Sequence, residues 1–239
     1  MDEKTSPRAA KKGSSGRDAI CENLSFAAKE AFKRLRTNIT TSLSEGDTSN
    51  VIGVTSAQPS EGKSTVSINL AYSLSELGKK VLLIDADMRR PSIHIKAGIK
   101  QTPGLSNLLS DTNAIGSAIT RYPGGDDNTR FDIIPGGAIM NNPSEMLTTK
   151  RMDQLMSALC SVYDYIIIDL PPVGAVIDAV SVSKHVDGML VVIRENNCPR
   201  GVFKDCVEQL KFSNVNVLGF VVNGALEGAG KKYQYSYYN

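Results

Sequence analysis

Residues 51–65, VIGVTSAQPSEGKST, combine an apolar strand, a polar loop and the start of a helix. The strand is predicted at Val51–Thr55 and the helix from Lys63 to about Leu77. The loop nearly matches the phosphate-binding pattern G-x-x-x-x-G-K-S/T, with Ala57 in place of the first glycine. Strand, loop and helix follow one another in the order that this pattern requires. We therefore predict a phosphate-binding loop rather than a chance match.

The chemistry of such a loop follows from its backbone. Successive N–H groups and the positive end of the helix dipole surround phosphate oxygens, and Gly62 lets the backbone come close to them. Lys63 is expected to bridge the β- and γ-phosphates, and Ser64 to offer its hydroxyl to Mg²⁺. The predicted nucleotide-binding residues are Ser60, Glu61, Gly62, Lys63, Ser64 and Thr65, together with Asn223 after the last strand.

Further strands follow as continuous apolar runs. They are predicted at Val81–Ile84, Phe131–Ile134, Tyr165–Ile168, Gly188–Ile193 and Val217–Val222. Helices are predicted at about Leu24–Leu43, with one apolar stripe, at Ser144–Val162, at 175–185 and at 201–211. Continuous apolar strands indicate burial on both faces. The predicted fold is α/β: a P-loop NTPase-like, mostly parallel sheet flanked by helices on both faces, in three layers.

Two of these strands end in acidic residues. Asp85 and Asp87 follow Val81–Ile84, and Asp169 follows Tyr165–Ile168. Parallel sheets place their sites at the carboxyl ends of strands, so both clusters should lie near the phosphate loop. We predict Asp169, Asp87 and Ser64 as Mg²⁺ ligands. Asp85 and Asp87, two residues apart, should point the same way. We predict that Asp85 lies nearest an attacking hydroxyl. Lys63 and Asp87 are the other predicted catalytic groups.

Length and composition set the limits of the function. The 239 residues, 41% of them hydrophobic, suit one domain, predicted at 21–223 between a disordered basic segment at 1–20 and a flexible tail at 224–239. A net charge of +2 does not favour nucleic-acid binding. The four cysteines form no metal-binding pattern, and no apolar run reaches membrane-spanning length. We expect a soluble, cytoplasmic protein.

The tyrosines are unevenly distributed. The chain has no Trp and eight Tyr, and four of those eight lie in the last seven residues: Tyr233, Tyr235, Tyr237 and Tyr238. A glycine-rich stretch, Gly224–Gly230, precedes them and is typical of a flexible linker. In a chain with a phosphoryl-transfer site, these tyrosines become candidate substrates. The alternative is that they are incidental or serve packing.

Three motifs together resemble the bacterial tyrosine kinases that govern capsule and exopolysaccharide synthesis. Their Walker A, A′ and B motifs match Ala57–Thr65, Leu82–Arg89 and Ile166–Pro171. The resemblance implies an ATP- and Mg²⁺-dependent kinase that phosphorylates its tyrosine tail in trans. It also implies a membrane activator of the polysaccharide chain-length-determinant type, recruitment to the inner face of the cell membrane, and a cognate tyrosine phosphatase.

The same resemblance implies a ring-shaped homo-oligomer, an octamer being one size it could take. Family members carry E-x-x-R-x-x-R in the first helix, where this chain has Glu30, Lys33, Arg34 and Arg36. Lys33 replaces the first arginine, and a lysine does not make the two-pronged contact of a guanidinium. Alternatively, Arg34 and Arg36 are ordinary solvated charges.

Two other functions remain open from the sequence. The ParA/MinD-like ATPases share the fold and the motif positions, but they carry a signature lysine where this chain has Gln58. Such a protein would release phosphate to water and leave no phosphotyrosine. The other alternative is an assembly factor that binds nucleotide without chemistry.

Overall fold

The computed structural model describes residues 20, 23–43, 49–110, 115–124, 129–173 and 181–225. Its helices are α1 Phe26–Ser42, α2 Lys63–Ser75, α3 Ile93–Ala97, α4 Leu105–Ser110, α5 Ile115–Ala118, α6 Pro143–Leu147, α7 Lys150–Cys160 and α8 Arg200–Phe212, with a 3₁₀ turn at Ser183–His185. Its strands are β1 Asn50–Ser56, β2 Val81–Asp85, β3 Thr120–Arg121, β4 Asp132–Ile134, β5 Tyr165–Asp169, β6 Gly188–Arg194 and β7 Val217–Asn223. Nearly all of the predicted basic segment, the tyrosine tail beyond Ala225 and the first part of the helix predicted at 175–185 lie outside the described residues.

The seven strands form one sheet in the order β3-β4-β2-β5-β1-β6-β7. Every neighbouring pair is parallel except β3 with β4. β2 and β5 are buried along their whole lengths, which matches their continuous apolar sequences. The predicted α/β fold with a mostly parallel sheet is confirmed. Because β1, β2 and β5 lie side by side and run the same way, the phosphate loop and both acidic strand ends meet at one edge.

Helices pack on both faces of this sheet. Leu83 and Ile167 point to the face covered by α1, α2 and α3. Their chain neighbours Ile84 and Ile166 point to the opposite face, which α4, α7 and α8 cover. Adjacent residues of a strand alternate between faces, so one apolar run fills both cores. This is the predicted three-layer arrangement.

The single helix predicted over 144–162 is wrong, because the chain forms α6 and α7 there. Pro143 occupies the first turn of α6, where a proline's missing N–H costs nothing. Thr149 then starts α7: its hydroxyl accepts the N–H of Met152 and donates to the Met146 carbonyl at 2.8 Å. Threonine hydroxyls that bond nearby backbone compete with a continuous helix. Apolar periodicity continues across such a break and does not reveal it.

The apolar stripe predicted along α1 is buried only toward its end. Ile39 and Leu43 are buried, whereas Ala31 is exposed and Phe26 is 80% exposed. Phe32 and Leu35 are partly buried and pack against the core of this sheet face. A periodic stripe shows which side of a helix is apolar, but not how far the partner helix reaches.

Arg36 fastens α1 to the end of α2. Its guanidinium donates to the Ser73 carbonyl and lies 2.9 Å from the Glu76 carboxylate. Cations are stabilising where a helix ends, because the last carbonyl groups carry partial negative charge. The Arg36 side chain is only 14% exposed. Arg36 is therefore engaged within its own chain.

The helices of the described ranges are short. The longest of them, α1, has 17 residues, and its first turn carries an N-cap from Ser25. Within those ranges no helix combines the length and the apolar character needed to cross a bilayer.

Candidate active site

The loop between β1 and α2 is held by its own side chains. The Ser56 hydroxyl donates to the Gln58 carbonyl at 2.7 Å, and the Gln58 N–H donates to the Glu61 carboxylate at 2.9 Å. The Glu61 side chain is fully buried inside the protein. The Glu61 side chain thus stabilises the loop conformation. Only the backbone of Glu61 is available to contact a nucleotide at the predicted site.

Gly62 joins this loop to α2 in a conformation that favours glycine. Its φ is +94°, in the left-handed region. A Cβ atom on Gly62 would lie 1.9 Å from the Asn223 amide nitrogen. That amide also donates to the Glu61 carbonyl at 2.8 Å. The structure therefore brings Asn223, from the end of β7, directly against the loop with which it was predicted to act.

Lys63 and Ser64 meet both acidic strand ends. The Lys63 ammonium lies 2.9 Å from an Asp87 oxygen and 3.6 Å from Asp169 Oδ2. The Ser64 hydroxyl donates to Asp169 Oδ2 at 2.6 Å, and the Ser67 hydroxyl donates to Asp169 Oδ1 at 3.0 Å. Sequence reasoning missed Ser67, although its position one helical turn after Ser64 was an available signal. Groups predicted from three separate segments form one cluster.

The electrostatics of this cluster keep Lys63 charged. Burial lowers the pKa of Lys63, but the negative charges of Asp169 and Asp87 outweigh burial and raise that pKa to about 12. Burial raises the pKa of Asp169, while the Lys63 charge and the hydroxyls of Ser64 and Ser67 oppose that effect. A buried, permanent cation beside the phosphate loop is suited to neutralising phosphate oxygens.

Asp85 and Asp87 have different partners, although both act electrostatically on Lys63 or bond to it. β2 ends at Asp85, and strand alternation does not continue to Asp87. The Asp85 carboxylate is fully buried and accepts the N–H groups of Ser92 at 2.9 Å and Ile93 at 3.0 Å. Burial, followed by the charge of Asp169, raises the pKa of Asp85 to about 7.

A cavity of about 780 Å³ opens above the loop. Asp87 lines it and Asp85 does not, so the proximity of Asp85 to an attacking hydroxyl stays a prediction. Sequence reasoning missed several cationic lining residues: Arg89 and Arg90 directly after Asp87, Lys96 on α3, and Arg194 at the end of β6. The lining consists of Pro59, Ser60, Gly62, Lys63, Ser64, Thr65, Asp87, Arg89, Arg90, Ser92, Lys96, Pro171, Pro172, Arg194, Asn223 and Gly224. The excess of cations suits a polyanion such as a nucleoside triphosphate.

The side chains at the base of the cavity also fit Mg²⁺. The Asp87 and Asp169 carboxylates lie near the Lys63 ammonium, and the Ser64 hydroxyl is bonded to Asp169. Mg²⁺ prefers such oxygen ligands. Across the described residues, no three His, Cys, Asp or Glu side chains are grouped as a metal site. A magnesium ion here would therefore depend on the Ser64 hydroxyl, on phosphate oxygens and on water. Mg²⁺ commonly binds proteins in this way.

The residues predicted for oligomerisation lie on α1, away from the cavity. Glu30 and Lys33 form an ion pair of 2.9 Å on the helix surface, and the Glu30 carboxylate raises the pKa of Lys33. Arg34 is exposed, whereas Arg36 is bonded to α2. The four tail tyrosines lie outside the described residues.

Comparison with known proteins agrees with this site. Residues 49–211 match a family model described as an AAA domain. Tyrosine-protein kinase YwqD of Bacillus subtilis is 34% identical over 209 residues, or 87% of this chain and 85% of that protein. A putative tyrosine-protein kinase in the cps region of Klebsiella pneumoniae is 36% identical over 213 residues, which are 89% of this chain but 29% of its own length.

A solved structure of a tyrosine kinase domain is also similar to this chain. The kinase domain of the Escherichia coli tyrosine kinase ETK matches with a TM-score of 0.80 and 32% identity, covering 96% of this chain and 88% of that one. The sheet, the phosphate loop and the acidic strand ends thus define a P-loop protein of the AAA-domain class. Within that class, this chain belongs to the bacterial tyrosine-protein kinases. The predicted enzyme class and the predicted use of ATP and Mg²⁺ are confirmed.

Proposed function

We propose that this tyrosine-protein kinase transfers the γ-phosphoryl group of ATP to the C-terminal tyrosines of a neighbouring copy of itself. The observation that carries this proposal is the position of Asn223 and Gly224 on the cavity wall. The tyrosine segment follows them later in the sequence. Tyr233 is nine residues beyond Gly224, and an extended chain of that length spans at most roughly 30 Å. A tail of that length can extend out of its own cavity toward another copy.

The transfer needs little from the protein beyond position and charge. The tyrosine oxygen bonds to the γ-phosphorus, the bond from that phosphorus to the bridging oxygen of ADP breaks, and the phenolic proton leaves. Lys63 neutralises phosphate oxygens. Ser64, Asp87 and Asp169 would hold Mg²⁺, which would supply Lewis-acid stabilisation. The proton passes to the carboxylates after β2. Asp87 lines the cavity and Asp85 lies behind it, with a pKa raised to about 7 that suits proton transfer.

Transfer between subunits can be tested by complementation. A tagged Lys63→Met chain supplies an intact tail without activity, and a second chain supplies activity without tail tyrosines. We expect ATP and Mg²⁺ to phosphorylate the tagged chain only in the mixture. The second chain carries phenylalanine at positions 233, 235, 237 and 238, and mass spectrometry of the tagged tail reads the result.

Each outcome of this experiment separates two possibilities. The tagged chain alone, incubated with ATP and Mg²⁺, is the control and should stay unmodified. A tagged chain that stays unmodified in the mixture, beside a wild-type chain that modifies itself, would show transfer within one subunit and contradict the proposal.

We also propose that α1 packs subunits into a ring. Glu30, Lys33 and Arg34 lie on its surface, and Phe26 at its start is 80% exposed. This surface combines an apolar side chain with charges of both signs, which suits contact with another copy. Arg36 would act indirectly, by holding α1 in place on α2.

Reversing a charge on α1 should disrupt this assembly. We expect Arg34→Glu to shift the protein toward monomers in sedimentation velocity, because it places two acidic side chains, at positions 30 and 34, one helical turn apart. Lys211→Glu makes the same charge change on α8, in the opposite layer of the fold, and should leave the size unchanged. Equal sedimentation of wild type and Arg34→Glu would contradict a ring built through α1.

In the cell, we propose that the kinase acts in capsular or exopolysaccharide synthesis and in control of chain length. The Klebsiella pneumoniae relative in the cps region supports the first part. We further propose recruitment to the inner face of the membrane by an activator of the chain-length-determinant type, and reversal by a tyrosine phosphatase. Co-expression with a cytoplasmic segment of such an activator tests the partnership: tail phosphorylation should increase, and an unchanged level would count against it.

A further inference from the structure

Ser92 connects the two acidic strand ends of the site. It follows β2 and immediately precedes α3. Its hydroxyl donates to the Ser64 hydroxyl oxygen at 2.8 Å, and its backbone N–H donates to Asp85 Oδ2 at 2.9 Å. Its side chain also lines the cavity. Ser92 therefore contacts the predicted metal ligand Ser64 through its side chain and a buried carboxylate through its backbone.

The hydrogen bonds at Ser64 determine which way its oxygen can bind. A serine hydroxyl has one proton and two lone pairs. The proton of Ser64 is directed to Asp169 at 2.6 Å, and one lone pair accepts the hydroxyl proton of Ser92. One lone pair remains, and Ser64 is one of the residues that line the cavity. Ser64 is thus fixed from two sides, with one site left for a cation.

We propose that Ser92 is a positioning residue for magnesium: its hydroxyl orients Ser64 so that the remaining lone pair faces the cavity. Groups that hydrogen-bond to a metal ligand fix its orientation, and their loss typically costs about 10- to 100-fold in metal affinity. Without the Ser92 hydroxyl, the Ser64 oxygen would keep its bond to Asp169 but could rotate about it. The inference concerns the magnesium site and does not depend on which tyrosines are phosphorylated.

The structure separates this role from a general structural one. The contact of Ser92 with Asp85 is made by the backbone N–H, and the Ile93 N–H supports the same carboxylate. Both contacts survive removal of the side chain. The Ser92 side chain also makes no contact with Lys63 in the described hydrogen bonds, so the phosphate loop should keep its affinity for metal-free nucleotide.

The test measures how Mg²⁺ changes ADP affinity. The dissociation constant of ADP is determined by calorimetry in EDTA and at a series of free Mg²⁺ concentrations. For Ser92→Ala we expect the Mg²⁺ midpoint to rise about tenfold, with the dissociation constant in EDTA within about twofold of wild type. Ser92→Thr keeps the hydroxyl and should restore the midpoint. Ser161→Ala, at the far end of α7, is the control for loss of a serine hydroxyl.

Three results would overturn the inference. An unchanged Mg²⁺ midpoint in Ser92→Ala would show that the Ser92 hydroxyl does not assist metal binding. A lower midpoint would show that this hydroxyl competes with the metal for the Ser64 oxygen. An equal loss of ADP affinity with and without Mg²⁺ would show a general role in the loop. If Ser92→Ala folds poorly, Ser92→Cys serves instead, because a thiol is a weak donor of similar size and should raise the midpoint too.

Discussion

The Lys63→Met variant should lose both phosphoryl transfer and part of its stability. Lys63 supplies the buried cation at the phosphate loop, and removing one such electrostatic group typically lowers a rate about 100- to 1,000-fold. The variant also leaves Asp87 and Asp169 buried without their cation, since their side chains are 8% and 0% exposed. Removing one partner of a buried ion pair costs about 3–5 kcal/mol.

The loss of stability in Lys63→Met should increase as the pH rises. Burial already raises the pKa of Asp169 in the wild type, and removal of the Lys63 charge raises it further. A carboxyl group whose pKa is raised by folding favours the folded state when protonated, and it loses that contribution as pH rises. We therefore expect urea denaturation to show a larger loss for Lys63→Met at pH 8 than at pH 6.

Lys96→Met is the matched control for this prediction. Lys96 lines the same cavity but forms no carboxylate contact in the described ion pairs. Its replacement should change stability by less than about 0.5 kcal/mol, as is usual for residues outside such contacts. A Lys63→Met chain as stable as the control at both pH values would contradict the ion-pair cluster seen at the site.

Gly62→Ala should also remove nucleotide binding, for two reasons. A non-glycine residue at its φ of +94° costs about 1–2 kcal/mol. In addition, the new Cβ would lie 1.9 Å from the Asn223 amide nitrogen, so Asn223 must move and give up its bond to the Glu61 carbonyl. Both changes fall on the backbone that surrounds the phosphates. We expect ADP affinity to fall at least about 100-fold, roughly 2.7 kcal/mol.

Gly78→Ala separates backbone strain from collision. Gly78 has a φ of +72°, but no atom lies within 4 Å of the position where its Cβ would be. It follows α2, at the end of that helix farthest from the loop. We expect a small loss of stability and unchanged ADP affinity by calorimetry. Equal ADP affinities for the two alanine variants would show that contact with Asn223 does not matter.

The sequence was sufficient to predict those parts of the site that are formed by short local motifs. The phosphate loop, the acid after β5 and the acids after β2 are each local patterns, and parallel strands bring their ends together. The burial of Asp85 was not predictable, because it depends on N–H groups from the start of α3. The role of Asn223 in nucleotide binding stays a prediction, and its contact with the loop depends on the sheet order.

Other features depended on tertiary contacts that no local pattern records. Ser67 and Ser92 have ordinary sequence surroundings, and their importance comes from the Asp169 and Ser64 oxygens that they contact. The break between α6 and α7 depends on hydroxyls that bond their own backbone. Periodicity predicts the type of an element better than its limits.

The central claim is that this chain is a kinase whose substrate is its own tyrosine tail. The most direct test is the intact mass of the wild-type protein, followed by peptide sequencing, after incubation with ATP and Mg²⁺. We expect added phosphoryl groups on the tail peptide that contains Tyr233, Tyr235, Tyr237 and Tyr238, and none on the Lys63→Met chain. A wild-type tail as unmodified as that of Lys63→Met, with phosphate released to water, would contradict the claim and favour an ATPase.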